Sequence, residues 1–158
     1  MRIIGIDPGS IKTGWGVIER NGNRISPVNA GVIRTKRGAP LHERLVMIHE
    51  GLAEQITTHQ PEIAAVEQIF QAKFASSALK LGQARGVALL AVAQAELPFE
   101  EYPPNLVKRT VTGAGHADKK QVAQLVSAIL GLTKVPAEDA CDALAVAITC
   151  AQATRANR

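Results

Sequence analysis

Apolar and polar positions along this chain keep two different periods, and the switches between them mark out its elements. Residues 2–7, 13–20 and 24–35 are rich in Val and Ile with interspersed Gly, the pattern of strands. The Pro8-Gly9 pair after the first predicts a type II turn, and Asn21-Gly22 predicts a tight antiparallel hairpin between the second and third. From Leu41 to His59 the period changes: Leu41, Leu45, Ile48, Leu52 and Ile56 recur every three or four residues, one face of an amphipathic helix. Pro40 suits the first turn of that helix, and Gln60-Pro61 ends it. Residues 63–66 then read as a short buried strand running into Glu67.

Residues 73–96 are rich in Ala, Leu and Val with no proline, and predict a helix of ~36 Å. Gly82 and Gly86 lie four apart within it, which suits close approach of another backbone, either this chain's own sheet or a second subunit. A fifth strand at 99–102 stops at Pro103-Pro104, with a short helix at 105–112 and a loop at 113–117. Asp118 is placed to N-cap a helix through Leu130, which Gly131 ends. Pro136 starts a last helix carrying Leu144, Ala147, Ile148 and Ala151 along one face. This order predicts an α/β fold: a five-stranded mixed sheet, with an antiparallel three-strand meander at one edge and parallel strands beyond it, flanked by helices.

At 158 residues the chain is long enough for one domain spanning 1–158. Apolar residues make up 46% and charged residues 20%, which excludes wholesale disorder. No apolar run approaches the ~20 residues of a membrane span, and Asp7 with Pro8-Gly9 interrupts the N-terminal apolar stretch too early for a secretory signal. The expected location is the cytoplasm. Cys141 and Cys150 lie nine apart in one helical segment, ~13.5 Å against a ~7 Å limit for a disulfide, and so read as reduced core residues. The charge of +4 is compatible with a nucleic-acid partner. Basic residues gather at Arg34, Lys36 and Arg37 and again at Lys108, Arg109, His116, Lys119 and Lys120, as either solvated loops or phosphate contacts.

The acids sharpen the picture. Asp before Pro-Gly commonly starts a turn, so Asp7 alone is a turn former or a functional carboxylate. Asp139 and Asp142 share one helical face, where the macrodipole alone favours acids by ~0.3–1 kcal/mol each. Yet Asp7, Glu67, and Asp139 with Asp142 each stand where an apolar element begins or ends. If the two strands are neighbours and the last helix crosses their ends, these carboxylates converge, and divalent cations are the usual answer to their repulsion. Oxygen ligands without a His or Cys set favour Mg²⁺ or Mn²⁺. Two such ions can activate water and stabilise the leaving oxygen of a phosphodiester.

On the segments IGIDPGSIKTGWGVI at 4–18, AVEQIF at 65–70, YPPNLVKRTVTGAGHADKKQV at 102–122 and DACDALAVAI at 139–148, the chain resembles the RuvC family of Holliday junction resolvases. The resemblance implies a ribonuclease H-like fold. It implies a Mg²⁺-dependent endodeoxyribonuclease that resolves four-way DNA junctions by paired symmetric nicks in recombination and repair. It further implies that Asp7, Glu67, Asp139 and Asp142 are catalytic and hold two Mg²⁺ per subunit, with Mn²⁺ substituting. Phe70 matches an aromatic that contacts the junction, with packing against Phe74 as the alternative, and Lys108 and Lys119 match basic residues that contact DNA. A homodimer and cooperation with the RuvA–RuvB branch-migration complex are also implied.

Three other readings are weaker. A sugar-kinase or actin-like ATPase opens similarly but needs two lobes and a second phosphate loop, more than 158 residues supply. A related ribonuclease H-like nuclease acting on RNA or other branched DNA shares the acids. A non-enzymatic junction-binding module needs the basic loops but not four carboxylates.

Overall fold

The computed structural model describes residues 1–68, 75–113 and 118–156. Five strands, β1 (Arg2–Asp7), β2 (Lys12–Asn21), β3 (Arg24–Arg34), β4 (Ile63–Glu67) and β5 (Phe99–Tyr102), form one sheet in the order β3-β2-β1-β4-β5. The β1–β2 and β2–β3 pairs are antiparallel, and β1–β4 and β4–β5 are parallel. The helices are α1 (Leu41–His59), α2 (Ala75–Gln94), α3 (Pro104–Thr112), α4 (Lys119–Leu130) and α5 (Glu138–Ala156).

The two-residue period of the strands sorts the core into two layers. Ile4 and Ile6 of β1, with Trp15 and Val17 of β2, face α1 and α2 and pack on Ile48, Leu52, Ala84 and Ala88. Ile3, Ile18 and Ala65 face the other way, onto Val107, Val126, Leu144 and Ile148 of α3, α4 and α5. Each fully buried Ile or Leu in these layers contributes ~1.5–3 kcal/mol.

Helix α5 runs across β1 and β2 at very close range because glycines clear its path. A methyl on Gly5 would strike the Ala143 carbonyl oxygen, one on Gly14 the Asp139 carbonyl oxygen, and one on Gly16 the Leu144 side chain. These glycines are therefore a seat for α5, beyond the strand punctuation they resemble in sequence. Gly14→Ala should cost about 1–3 kcal/mol, as overpacking of a rigid contact does, read as a lower urea midpoint with an unchanged slope.

Several details depart from expectation. Pro8-Gly9 does not form a type II turn, since Gly9 lacks the positive φ that turn requires. Glycine is needed there because a side chain would strike the Lys12 carbonyl oxygen. Asn21 is still in β2, so the hairpin loop is Gly22-Asn23, with Gly22 at φ 61°. Pro40 sits at the N-cap of α1 and not in its first turn, and α5 begins at Glu138, two residues after Pro136. A Cβ on Gly82 or Gly86 would meet none of the described residues within 4 Å, so these glycines do not serve packing on the chain's own sheet.

Asp118 caps α4 in a reciprocal capping box with Gln121, and Gly131 ends it with φ 63°. Cys141 and Cys150 are buried free thiols. No helix among the described residues is long and apolar enough to cross a membrane.

Candidate active site

Asp7 ends β1 and Glu67 ends β4, and the two strands run parallel with Ile6 opposite Val66. Both acids thus leave the sheet side by side at its carboxyl edge, the place where open α/β sheets take ligands. The glycine seat lets α5 bring Asp142 over the same edge. Asp7, Glu67 and Asp142 line one cleft of about 230 Å³, together with Lys108, Lys119 and the apolar Val107, Val122 and Ala145. A cavity needs only ~10–15 Å³ on the same measure to hold one water, so the cleft has room for hydrated ions or a phosphate.

The remaining expected residues divide clearly. Asp139 is half-buried one turn before Asp142 and does not line the cleft, although its charge acts on both Asp7 and Asp142. Lys120 and Arg109 are exposed and also stand outside the lining, as does the cluster of Arg34, Lys36 and Arg37. Phe70, its alternative partner Phe74, and His116 lie outside the described residues.

Crowding of like charge shows in the ionisation of the acids. Burial, then the charges of Asp142, Glu67 and Asp139, push Asp7 from 3.8 up to about 7, against a smaller opposing pull from Lys119. Glu67 is raised by burial and by Asp142, with Lys108 and Lys119 pulling it down. Asp142 is raised by burial, opposed by Lys119. The Lys119 ammonium stands 3.7 Å from Asp142 Oδ2 and donates to Glu138 Oε1 at 2.5 Å.

The loop after Asp7 is braced by other side chains. The buried Thr13 hydroxyl donates to the Gly9 carbonyl at 2.9 Å and accepts from the Gly9 N–H at 3.3 Å. The Ser10 carbonyl accepts from Thr35 Oγ1 at 3.1 Å and from the Arg44 guanidinium, whose Nε lies 3.0 Å away. Turn closure therefore falls to Thr13, which leaves the Asp7 carboxylate facing the cleft.

Thr13, Thr35, Arg44 and Glu138 were not marked out by the sequence. Only Glu138 left a signal: it stands four residues before Asp142, on the same helical face.

An all-oxygen donor set in which one carboxylate is pushed up to about 7 by burial and then by its acidic neighbours fits a hard divalent cation. Among the described residues no three His, Cys, Asp or Glu side chains are gathered closely enough to hold a metal ion by themselves. The open cleft instead suits Mg²⁺, which keeps several waters and takes oxygens from one or two carboxylates and from substrate phosphate.

A family model described as "Crossover junction endodeoxyribonuclease RuvC" matches residues 3–150. Proteins of that name from Rhodopseudomonas palustris (strain BisA53) and Bradyrhizobium diazoefficiens are each 54% identical over 149 residues, 94% of this chain and 86% and 85% of theirs. The fold superposes on Thermus thermophilus RuvC in complex with Holliday junction substrate with a TM-score of 0.93 at 36% identity, over 99% of this chain and 96% of that one.

Proposed function

The chain belongs to the RuvC family of crossover junction endodeoxyribonucleases, and on that premise we propose a metal-dependent resolvase of four-way DNA junctions whose catalytic acids are Asp7, Glu67, Asp142 and Asp139. The observation that carries this assignment is the meeting of Asp7, Glu67 and Asp142, from three separate segments, in one cleft flanked by Lys108 and Lys119. Bound there, two Mg²⁺ ions, or Mn²⁺ in their place, would supply an activated water and neutralise the leaving oxygen. The acids would hold the cations and Lys108 and Lys119 would hold the scissile phosphate, while Phe70, by resemblance, would contact the junction. The apolar walls Val107, Val122 and Ala145 limit water at the phosphate and strengthen each charge interaction. One nuclease domain over 1–158, working in the cytoplasm with a RuvA–RuvB complex, completes the reading.

Cleavage of synthetic four-way junctions, RNA–DNA hybrids and linear duplexes in Mg²⁺ tests it. Paired nicks confined to the junction are expected. Preference for the hybrid would transfer the chain to another nuclease class.

Two equivalent strands need two equivalent sites, so the working unit is a twofold homodimer. Supporting this, the outer face of α2 leaves Gly82 and Gly86 open, with Leu79 66% and Leu90 50% exposed on the same helix. Light scattering should report about twice the 16.8 kDa chain mass, and Leu79→Glu with Leu90→Glu should halve it. A parent chain that stays monomeric at high concentration yet makes both nicks would contradict the dimer.

A further inference from the structure

Lys119 has two carboxylates within reach, and they stand one turn apart on the same face of α5. The inner one, Asp142, lines the cleft, with its Oδ2 3.7 Å from the ammonium. The outer one, Glu138, accepts from that ammonium at 2.5 Å and does not line the cleft. The base of Lys119 is fixed, because the capping box pins the start of α4: Gln121 N–H donates to Asp118 Oδ1 at 2.8 Å, and Asp118 N–H donates to Gln121 Oε1 at 3.1 Å. The freedom left to Lys119 lies in its side chain, and the two acids of α5 divide its ammonium between them.

That division bears on the cleft. An ammonium seated on Asp142 would occupy a carboxylate that a divalent cation needs, and two like charges cannot share it without cost. We propose that Glu138 is a positioning residue that draws the Lys119 ammonium away from Asp142 to the rim of the cleft, leaving Asp142 open to a divalent cation and Lys119 directed at the substrate phosphate. The inference rests on the metal-site reading given above. Lys119 and Glu138 are 69% and 59% exposed, so solvent screening keeps the effect moderate and stability nearly indifferent to the pair.

Mn²⁺ binding to the DNA-free protein, measured by calorimetry, tests this without any turnover. Glu138→Gln should weaken Mn²⁺ binding about threefold to fivefold, the scale of an exposed ion pair, with an unchanged thermal midpoint. In a Lys119→Met background the same substitution should change binding by less than roughly twofold, because no ammonium remains to be displaced. Glu138→Asp, shorter by one methylene, should fall between parent and Glu138→Gln.

An equal loss in both backgrounds would reduce Glu138 to diffuse negative charge and overturn the proposal, as would no loss in either. The two readings fail differently. Mn²⁺ binding that Asp142→Asn weakens but Glu138→Gln leaves intact overturns only the role of Glu138. No Mn²⁺ binding by the parent chain overturns the metal site and this inference together.

Discussion

Asp7→Asn protein is expected to lose metal-dependent junction cleavage by at least about a hundredfold while folding as well as the parent or better when metal is absent. Both effects come from one carboxylate. Burial, then the charges of Asp142, Glu67 and Asp139, push Asp7 up to about 7 in the folded chain against 3.8 ordinarily. An acid with a raised folded value binds its proton more tightly in the native state than in the unfolded one. The contribution of Asp7 to metal-free stability should therefore be most favourable below about pH 4, be lost as the pH rises to about 7, and level off above. The cost at pH 8 is on the order of 2–4 kcal/mol. Glu67 and Asp142, raised for the same reason, add to it in the same direction. Asparagine keeps the shape and removes the charge, so its urea-unfolding stability should be flatter across pH 4–7. A stability difference between parent and Asp7→Asn that stays constant over that range would show that Asp7 is not raised.

The second large effect separates the two acids of α5. Asp142→Asn should lose cleavage as completely as Asp7→Asn, because its carboxylate lines the cleft beside Glu67 and Lys119. Asp139→Asn should be severely impaired yet retain measurable activity, since Asp139 stands one turn back and reaches the cleft through its charge on Asp7 and Asp142. Junction binding should persist in both, because it depends on Lys and Arg contacts to phosphate. Removing an acid beside the bound backbone should tighten it at low salt. If the four acids were only turn and helix caps, each change would cost ~1 kcal/mol of stability and leave cleavage alone. Single-turnover rates of the two variants, measured side by side, rank them.

Elements set by local period and local capping were the most legible in the sequence. The apolar face of α1 predicts its bounds of Leu41–His59, and Asp118 as an N-cap predicts the start of α4. Asp7, Glu67 and Asp142 were legible for a related reason: a carboxylate directly abutting an apolar strand or helix must stand at the edge of the core. What local pattern does not carry is which elements pass close together. Gly5, Gly14 and Gly16 read as strand glycines, and only the crossing of α5 makes them a seat. Pro8-Gly9 reads as a type II turn, but its geometry is decided by the Lys12 carbonyl and by Thr13. Glu138 reads as an ordinary first-turn acid, and its partner Lys119 lies 19 positions away on another helix.

The most direct test of the central claim, that these converging acids hold the cations that cut DNA, is single-turnover cleavage of a synthetic four-way junction. Purified parent and Asp7→Asn proteins would be compared at saturating protein over a Mg²⁺ titration. The account predicts Mg²⁺-dependent paired nicks by the parent, and by Asp7→Asn an intact, tightly bound junction with no nicking at any Mg²⁺ concentration. Cleavage by Asp7→Asn at near the parent rate would contradict it.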